Sequence, residues 1–177
     1  MPSTVILFDV DGTLAVPAQK ADQPIVDMLA KLRERGYLVG IVGAGDYAKQ
    51  EGQLGGPSLR SRLDFCFSEN GVHAFKGETM IHQKSIVDHV GETRWAEFEA
   101  GLAELQERIS GEAEALLREA TGDSTATLGA RGTFLERRMC TCNVCVIGRT
   151  PGLSKAERAA FDAADRANGL RRRVLEE

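Results

Sequence analysis

The sequence has few aromatic residues and no long hydrophobic run. None of its apolar stretches approaches the roughly 18 residues that a membrane-spanning helix needs, so no membrane span is predicted. The N-terminus runs directly into an apolar segment and lacks the charged stretch and apolar core of an export signal, so we expect a cytoplasmic protein. Aromatic residues make up 6% of the chain, which is too few for a platform that stacks nucleic-acid bases.

Cysteine and histidine are also scarce. Three of the four cysteines, Cys140, Cys142 and Cys145, lie close together, which suggests a zinc site as one interpretation. Strand alternation would place Cys140 and Cys142 on one face and Cys145 on the other, and all three histidines lie within the first 89 residues. We therefore favour free thiols that pack against neighbouring side chains, as is usual in a reducing compartment.

Charge is divided unevenly along the chain. Residues 1–130 carry a net charge of −8, whereas residues 131–177 carry +4 and are rich in arginine, which suits recognition of phosphate. Nucleic-acid binding is the competing interpretation, but the basic residues are interspersed with acidic ones, and no nucleic-acid partner is predicted. Arg131 and the run at residues 171–173 are interpreted as surface charge.

The most informative segment is a short apolar run, residues 5–8, that ends in two aspartates one residue apart. The run is too short for an ordinary helix and predicts a strand that is buried on both faces. Asp9 and Asp11 would then lie at the carboxyl end of the strand, where open α/β sheets bind ligands. Two nearby carboxylates repel each other, and a hard divalent cation such as Mg²⁺ relieves that repulsion. The structural alternative is an acidic turn that merely ends the strand.

The first half of the chain predicts a parallel α/β unit. A helix over residues 22–35, with Asp22 as its cap, is followed by a strand over residues 37–42 and a glycine-rich turn at residues 43–46. The turn would lie beside the Asp9 loop, where its backbone N–H groups could bind a phosphate. A third strand over 63–67 and a hairpin with strands at 72–75 and 79–82 complete this half.

The pattern changes near residue 84, where a second module begins. Trp95, Phe98, Leu102, Leu105 and Ile109 recur at helical spacing and predict an amphipathic helix whose apolar stripe packs in the core. A loop at 122–130, strands at 131–138 and 141–147, and a helix from the Ser154 capping box to about residue 167 follow. We therefore predict two domains, residues 1–83 and 84–177.

The motif at residues 9–13 resembles the first motif, Asp-x-Asp-Gly-Thr, of the haloacid dehalogenase superfamily, whose members mostly transfer phosphoryl groups. Further segments are similar, in order, to the phosphomannomutases of that superfamily: LFDVDGTL, GIVGAGDYAKQEGQLG, FSENGVHAFK, RGTFLERR and NVCVIGR. The similarity runs from near residue 4 to the end of the chain. It implies an α/β fold with a Rossmann-like parallel-sheet core, incomplete in this chain, and an α+β cap domain, also incomplete.

The resemblance also implies a mechanism. In the family the first aspartate attacks phosphorus to form an aspartyl phosphate, and the second donates and accepts the proton of the sugar oxygen. Asp9 is therefore the implied nucleophile, Asp11 the implied acid/base, and both are implied ligands of Mg²⁺. Family members interconvert mannose 6-phosphate and mannose 1-phosphate for GDP-mannose synthesis, with a sugar 1,6-bisphosphate as activator. Whether the hexose phosphate is of mannose or glucose stays open.

The cap domain of the family binds the non-reacting phosphate through arginines. The matching positions are Arg138 in FLERR, Arg149 in VIGR and Arg158 in ERAAF. Family members are usually dimers through the cap, so a homodimer is implied. An arginine taken alone is more often a solvated surface residue, and only the three together with the resemblance favour the binding role.

Several positions depart from the family pattern. Gly45 stands where the family has a serine that binds the transferring phosphoryl group, and Ala18 stands where it has an arginine. The family continues beyond the equivalent of Glu177 and there supplies a lysine that steadies the nucleophile, for which we expect no substitute after residue 46. These departures leave two alternatives to the mutase: an inactive truncated product that binds sugar phosphates or a partner, and a sugar phosphatase of the same superfamily.

Overall fold

The structure is a computed structural model that describes residues 4–128, 133–149 and 152–176. The chain divides into two compact units, each described here by itself. The first unit contains Met1–His89 and Met139–Thr141, and the second contains Val90–Arg138 and Cys142–Glu177. The predicted division at residue 83 stays a proposal about the domains.

The first unit is built on one five-stranded sheet with the strands in chain order. The first three strands are parallel and the last two form an antiparallel hairpin, so both sequence predictions are confirmed. The strands are β1 (Val5–Asp9), β2 (Leu38–Val42), β3 (Phe65–Ser68), β4 (His73–Lys76) and β5 (Thr79–Gln83). The helices in this part of the chain are α1 (Gln23–Glu34), α2 (Tyr47–Gln53), α3 (Leu59–Arg62) and α4 (Ile86–Val90).

Helix α1 forms where the sequence predicts it, with a proline in its first turn and basic side chains in its last. Asp22 occupies the N-cap position, but its side chain accepts no capping hydrogen bond. Leu29 of this helix packs into a core with Val39, Ile41 and Cys66 of the sheet. This core covers one face of the sheet and fixes the strand ends on which Asp9 and the glycine-rich loop lie.

The prediction that β1 is buried on both faces is wrong. Val5 is 50% exposed and Leu7 is 46% exposed, whereas Phe8 packs against the core. Strand β1 is the edge strand of the sheet, and side chains alternate between its faces. Because every residue in the run is apolar, the pattern could not distinguish the covered face from the open one.

The second unit contains three helices that share one core and a small antiparallel pair of strands. Its elements are α5 (Glu92–Thr121), β6 (Leu135–Arg137), β7 (Cys142–Val144), α6 (Lys155–Asn168) and α7 (Leu170–Glu176). Its core includes Ala113 and Leu117 of α5, Phe161 of α6 and Leu170 of α7. The predicted capping box at Ser154 is confirmed, with both reciprocal hydrogen bonds to Glu157 present.

The predicted apolar stripe on α5 is only partly a core face. Trp95 and Ile109 are buried, but Phe98 is 43% exposed. The two strands are shorter than predicted, and Arg131 lies outside the described residues. Among the helices of the described ranges, none is long and apolar enough to cross a membrane.

Candidate active site

Asp9 is the last residue of β1, and its side chain is exposed. It lies opposite Val42, the last residue of β2, so the 43–46 loop begins beside it. A β-carbon built on Gly43 would lie 3.6 Å from Asp9 Oδ1, which shows how closely the loop backbone approaches the carboxylate. The predicted neighbourhood of the Asp9 motif and the glycine-rich turn is therefore confirmed.

Asp11 is held by three hydrogen-bond donors. The Ala18 backbone N–H donates to Oδ1 at 3.2 Å, Gln53 Nε2 donates to the same oxygen at 2.8 Å, and Lys49 Nζ forms an ion pair with Oδ2. Partial burial opposes ionisation, but the hydrogen bonds from Lys49, Gln53 and Ala18 outweigh it and hold the pKa of Asp11 below its ordinary value. Asp11 is therefore a carboxylate at neutral pH, able to accept a proton.

Lys49 and Gln53 were not predicted from the sequence. Both lie on α2, and their spacing of four residues places them on the same face of that helix. Lys49 contacts Asp11 and not Asp9 among the described contacts, so the expectation that no lysine after residue 46 steadies the nucleophile stays a prediction. The available signal was Asp46, whose side chain accepts a hydrogen bond from the Lys49 N–H at 2.8 Å and so begins α2 directly after the glycine-rich turn.

Gly45 lies under the side chain of Lys49. A β-carbon at this position would be 3.1 Å from Lys49 Cδ and 3.8 Å from Lys49 Nζ. The lysine therefore covers the place from which a side chain at position 45 would project. The ammonium group of Lys49, on α2, therefore lies close to the position where the resemblance leads one to expect a hydroxyl.

Asp9 and Asp11 suit a divalent cation unequally. Mg²⁺ needs few protein ligands, because it keeps several waters and binds substrate phosphates. The exposed Asp9 carboxylate fits that chemistry. Asp11 Oδ1 accepts from Ala18 and Gln53, whereas Oδ2 accepts from Lys49, so a cation at Asp11 would lie close to the Lys49 ammonium. Within the part of the chain that the structure describes, no three His, Cys, Asp or Glu side chains are grouped to hold a metal, the clustered cysteines included.

Two of the three predicted phosphate-binding arginines converge in the second unit. Arg138 and Arg149 both contact Glu136 Oε2, at 3.1 and 3.4 Å. Arg158 instead donates to the carbonyl oxygens of Gly148 and Arg149, at 2.9 and 3.1 Å. The structure thus brings Arg138 and Arg149 together around one carboxylate and uses Arg158 to brace the loop that carries Arg149.

Gly152 lies against the backbone of Arg149 and the side chain of Arg158. Its φ of +67° is a left-handed conformation, and a β-carbon there would clash with the Arg149 carbonyl and the Arg158 guanidinium. Arg158 can therefore reach the loop backbone only because position 152 has no side chain.

Comparison with known proteins identifies relatives along almost the whole chain. A family model described as eukaryotic phosphomannomutase matches residues 25–104. The phosphomannomutase of Galdieria sulphuraria is 36% identical over 173 residues, which cover 98% of this chain and 61% of the relative. The Saccharomyces cerevisiae phosphomannomutase is 34% identical over 99% of this chain and 61% of the relative, and human phosphomannomutase 1 is 35% identical over 96% and 58%. The chain thus spans about three fifths of the length of these curated relatives.

Among solved structures, a Bacteroides thetaiotaomicron phosphatase of the haloalkanoate (HAD) superfamily is 25% identical, with a TM-score of 0.38 over 47% of this chain and 30% of that protein. A TM-score this low adds nothing to the sequence matches.

The parallel strands, with an Asp-x-Asp motif at the carboxyl end of the first strand, define an α/β protein. Along almost its whole length, the sequence is similar to eukaryotic phosphomannomutases.

Proposed function

We propose that this chain carries the phosphoryl-transfer chemistry of a phosphomannomutase, which interconverts mannose 6-phosphate and mannose 1-phosphate. The observation that carries the proposal is the pair formed by an exposed Asp9 at the end of β1 and an ionised Asp11 two residues later. An exposed carboxylate can approach phosphorus, and a neighbouring carboxylate can exchange the proton of the sugar oxygen.

The reaction runs as two half-reactions that share one proton. In the first, a sugar hydroxyl attacks the phosphoryl group on Asp9, the aspartyl O–P bond breaks, and Asp11 accepts the hydroxyl proton. The sugar bisphosphate formed then turns around. In the second, Asp9 attacks the other phosphate, the sugar O–P bond breaks, and Asp11 returns the proton to the sugar oxygen. Lys49 favours the second half-reaction, because it lowers the pKa of Asp11 and so makes the protonated acid a stronger proton donor to the sugar oxygen.

Mg²⁺ is part of this proposal, with the Asp9 carboxylate and the substrate phosphate as its ligands. The cation would neutralise charge on the transferring phosphoryl group. A sugar 1,6-bisphosphate would supply the first phosphoryl group on Asp9. Asp11, whose two oxygens accept from three donors, is assigned to proton transfer, and its predicted role as a metal ligand would bring the cation close to the Lys49 ammonium.

The arginine cluster of the second unit is the proposed site for the non-reacting phosphate. Arg138 and Arg149 meet at Glu136, which a dianionic phosphate would displace as their shared partner. Arg158, the third predicted residue, would contribute by fixing the Arg149 loop. A second anchored phosphate favours a mutase over a phosphatase, because it holds the intermediate while its ends exchange.

The pathway, the cellular location and the oligomeric state are proposed from the resemblance to phosphomannomutases. The hexose phosphate would feed GDP-mannose synthesis in the cytoplasm, and the protein would act as a homodimer.

The test is turnover of mannose 1-phosphate by the purified chain with Mg²⁺ and glucose 1,6-bisphosphate, followed by phosphorus NMR. We expect mannose 6-phosphate to accumulate without inorganic phosphate, and Asp9→Asn to abolish this conversion. Release of inorganic phosphate would overturn the proposal in favour of a sugar phosphatase. Sugar-phosphate binding without any conversion would overturn it in favour of a binding protein.

The arginine assignment has its own matched pair of variants. We expect Arg149→Gln to raise KM for mannose 1-phosphate by about 10- to 100-fold, because a charge-assisted contact to phosphate is lost. Arg166→Gln removes the same charge from an exposed position on α6 and should leave KM unchanged. Equal effects of the two substitutions would contradict a phosphate site at Arg149.

A further inference from the structure

The turn after β3 holds a buried glutamate in an unfavourable backbone conformation. Glu69 is 2% exposed and has φ of +48°, and the next residue, Asn70, has φ of +59°. Asparagine adopts this left-handed region fairly often, whereas glutamate rarely does. A buried charged residue in a strained conformation persists only where its contacts require it, so the contacts of Glu69 indicate its role.

The backbone of this turn is bonded to the loop beside Asp9. The Glu69 N–H donates to the Gly45 carbonyl at 3.0 Å, and the Asn70 N–H donates to the Gly43 carbonyl at 2.9 Å. These two hydrogen bonds need both N–H groups to point toward the 43–46 loop. The left-handed conformation of the turn is therefore coupled to the position of that loop.

The side chain of Glu69 is bonded in a different direction. Its Oε2 accepts hydrogen bonds from the Cys140 N–H and from Thr141 Oγ1, both at 2.9 Å. Both donors belong to Met139–Thr141, the segment of the first unit that directly follows Arg138 in the chain. Glu69 thus binds the 43–46 loop through its backbone N–H and the segment Met139–Thr141 through its carboxylate.

We propose that Glu69 is a positioning residue that ties the 43–46 loop to the segment Met139–Thr141. It touches no reacting atom and acts through Gly43, which lies beside Asp9, and through Gly45, which lies under Lys49. Its effect on catalysis rests on the proposed function. The tie itself does not, because it consists of hydrogen bonds that can be measured without substrate.

The test compares Glu69→Ala and Glu69→Gln with Asn70→Gly as the control. The first removes both side-chain hydrogen bonds, the second keeps an acceptor oxygen of similar shape, and the third relaxes the neighbouring residue while leaving the carboxylate in place. Cys140 is a built-in reporter, because it is buried and lies directly in the tied segment. Its alkylation by iodoacetamide is followed by peptide mass spectrometry, with buried Cys66 as the internal standard for global unfolding.

We expect Glu69→Ala to speed alkylation of Cys140 by about 10- to 100-fold, the effect of losing hydrogen bonds to a charged acceptor. In Glu69→Ala, Cys66 should stay protected and the amide NMR signals of Gly43 and Gly45 should shift. Glu69→Gln should restore much of the protection of Cys140, and Asn70→Gly should resemble the wild type. In turnover, Glu69→Ala should lower kcat more than it changes KM.

Unchanged Cys140 reactivity together with unshifted glycine signals would overturn the inference. If Glu69→Ala exposes Cys66 as well, the comparison passes to Thr141→Val, which removes one of the two donors to Glu69 and keeps its carboxylate. Wild-type alkylation of Cys140 and unshifted glycine signals in Thr141→Val would equally overturn the inference. A chain without turnover would contradict the proposed function only, since alkylation and NMR would still decide whether Glu69 forms the tie.

Discussion

Replacing Lys49 with methionine removes the only charge that the structure places against Asp11 among the described contacts of that carboxylate. Asp11 would retain the two uncharged donors, Gln53 and the Ala18 N–H. Because the ion pair with Lys49 helps to hold the pKa of Asp11 below its ordinary value of 3.8, we expect that pKa to rise in Lys49→Met. The two side chains are 26% and 35% exposed, so solvent screens the pair, and the loss in unfolding free energy near neutral pH should be about 0.5 kcal/mol.

The sign of the pH dependence follows from the direction of the shift. A carboxyl group with a lowered pKa in the folded state stabilises the protein above its unfolded-state pKa, and this contribution disappears as pH falls through the folded-state pKa. The stability difference between wild type and Lys49→Met should therefore be present near neutral pH and vanish well below pH 3.8.

The assay is a carbon-13 NMR titration of the Asp11 carboxyl group without Mg²⁺, combined with urea unfolding at both pH extremes. Lys20→Met, at an exposed position, controls for the loss of one positive charge. An Asp11 that titrates at the same pKa in wild type and Lys49→Met would refute the reasoning. So would a stability difference that persists at low pH.

Four further substitutions test the contacts of the second unit. Phe161→Ala should lower the unfolding free energy by about 3–5 kcal/mol in urea unfolding, because Phe161 is fully buried, whereas Phe98→Ala at an exposed position should cost less than about 1 kcal/mol. Arg171→Met should cost about 2 kcal/mol, because it leaves the buried carboxylate of Asp165 without its charged donor, and an unchanged midpoint would contradict that contact. Gly152→Ala should destabilise the Arg149 loop through the clash at its β-carbon, visible as shifted NMR signals of residues 148 and 149 with little change elsewhere.

The local parts of the site could be predicted from the sequence. An apolar run that ends in Asp9 and Asp11 indicates a strand and the position of its functional end, and the glycine-rich turn after the next strand indicates its neighbour. Both signals lie within a few residues of the groups they describe. The parallel arrangement of β1 and β2 then brings them together.

The contacts of Lys49 and Gln53 could not be predicted in the same way. They depend on helix α2, whose sequence YAKQEGQ has little apolar periodicity and whose buried residues, Gln50 and Gln53, are polar. Those glutamines are buried because they find hydrogen-bond partners, such as the Ser68 hydroxyl that donates to Gln50 at 2.8 Å. Such partners come from distant parts of the chain, and no local pattern identifies them.

The exposure of β1 and the hydrogen-bond partners of Arg158 could not be predicted from the sequence, for a related reason. An all-apolar strand has the same sequence pattern at the edge of a sheet as at its centre. The exposure of Val5 and Leu7 therefore follows only from the order of the strands. An arginine in the first turns of a helix is equally able to bind a ligand or a backbone carbonyl. The carbonyl oxygens of Gly148 and Arg149 lie within reach of Arg158, so its guanidinium donates to the backbone.

The most direct test of the proposed chemistry is to trap the phosphoryl group on the protein. The purified chain is incubated with Mg²⁺ and a sugar 1,6-bisphosphate, quenched in acid and mapped by peptide mass spectrometry, with Asp9→Asn treated in parallel. We predict a hydroxylamine-sensitive phosphoryl group on Asp9 that is absent from the variant. A phosphoryl group on another residue, or none while the full-length yeast phosphomannomutase is labelled under the same conditions, would contradict the assignment of Asp9 as the nucleophile of this chain.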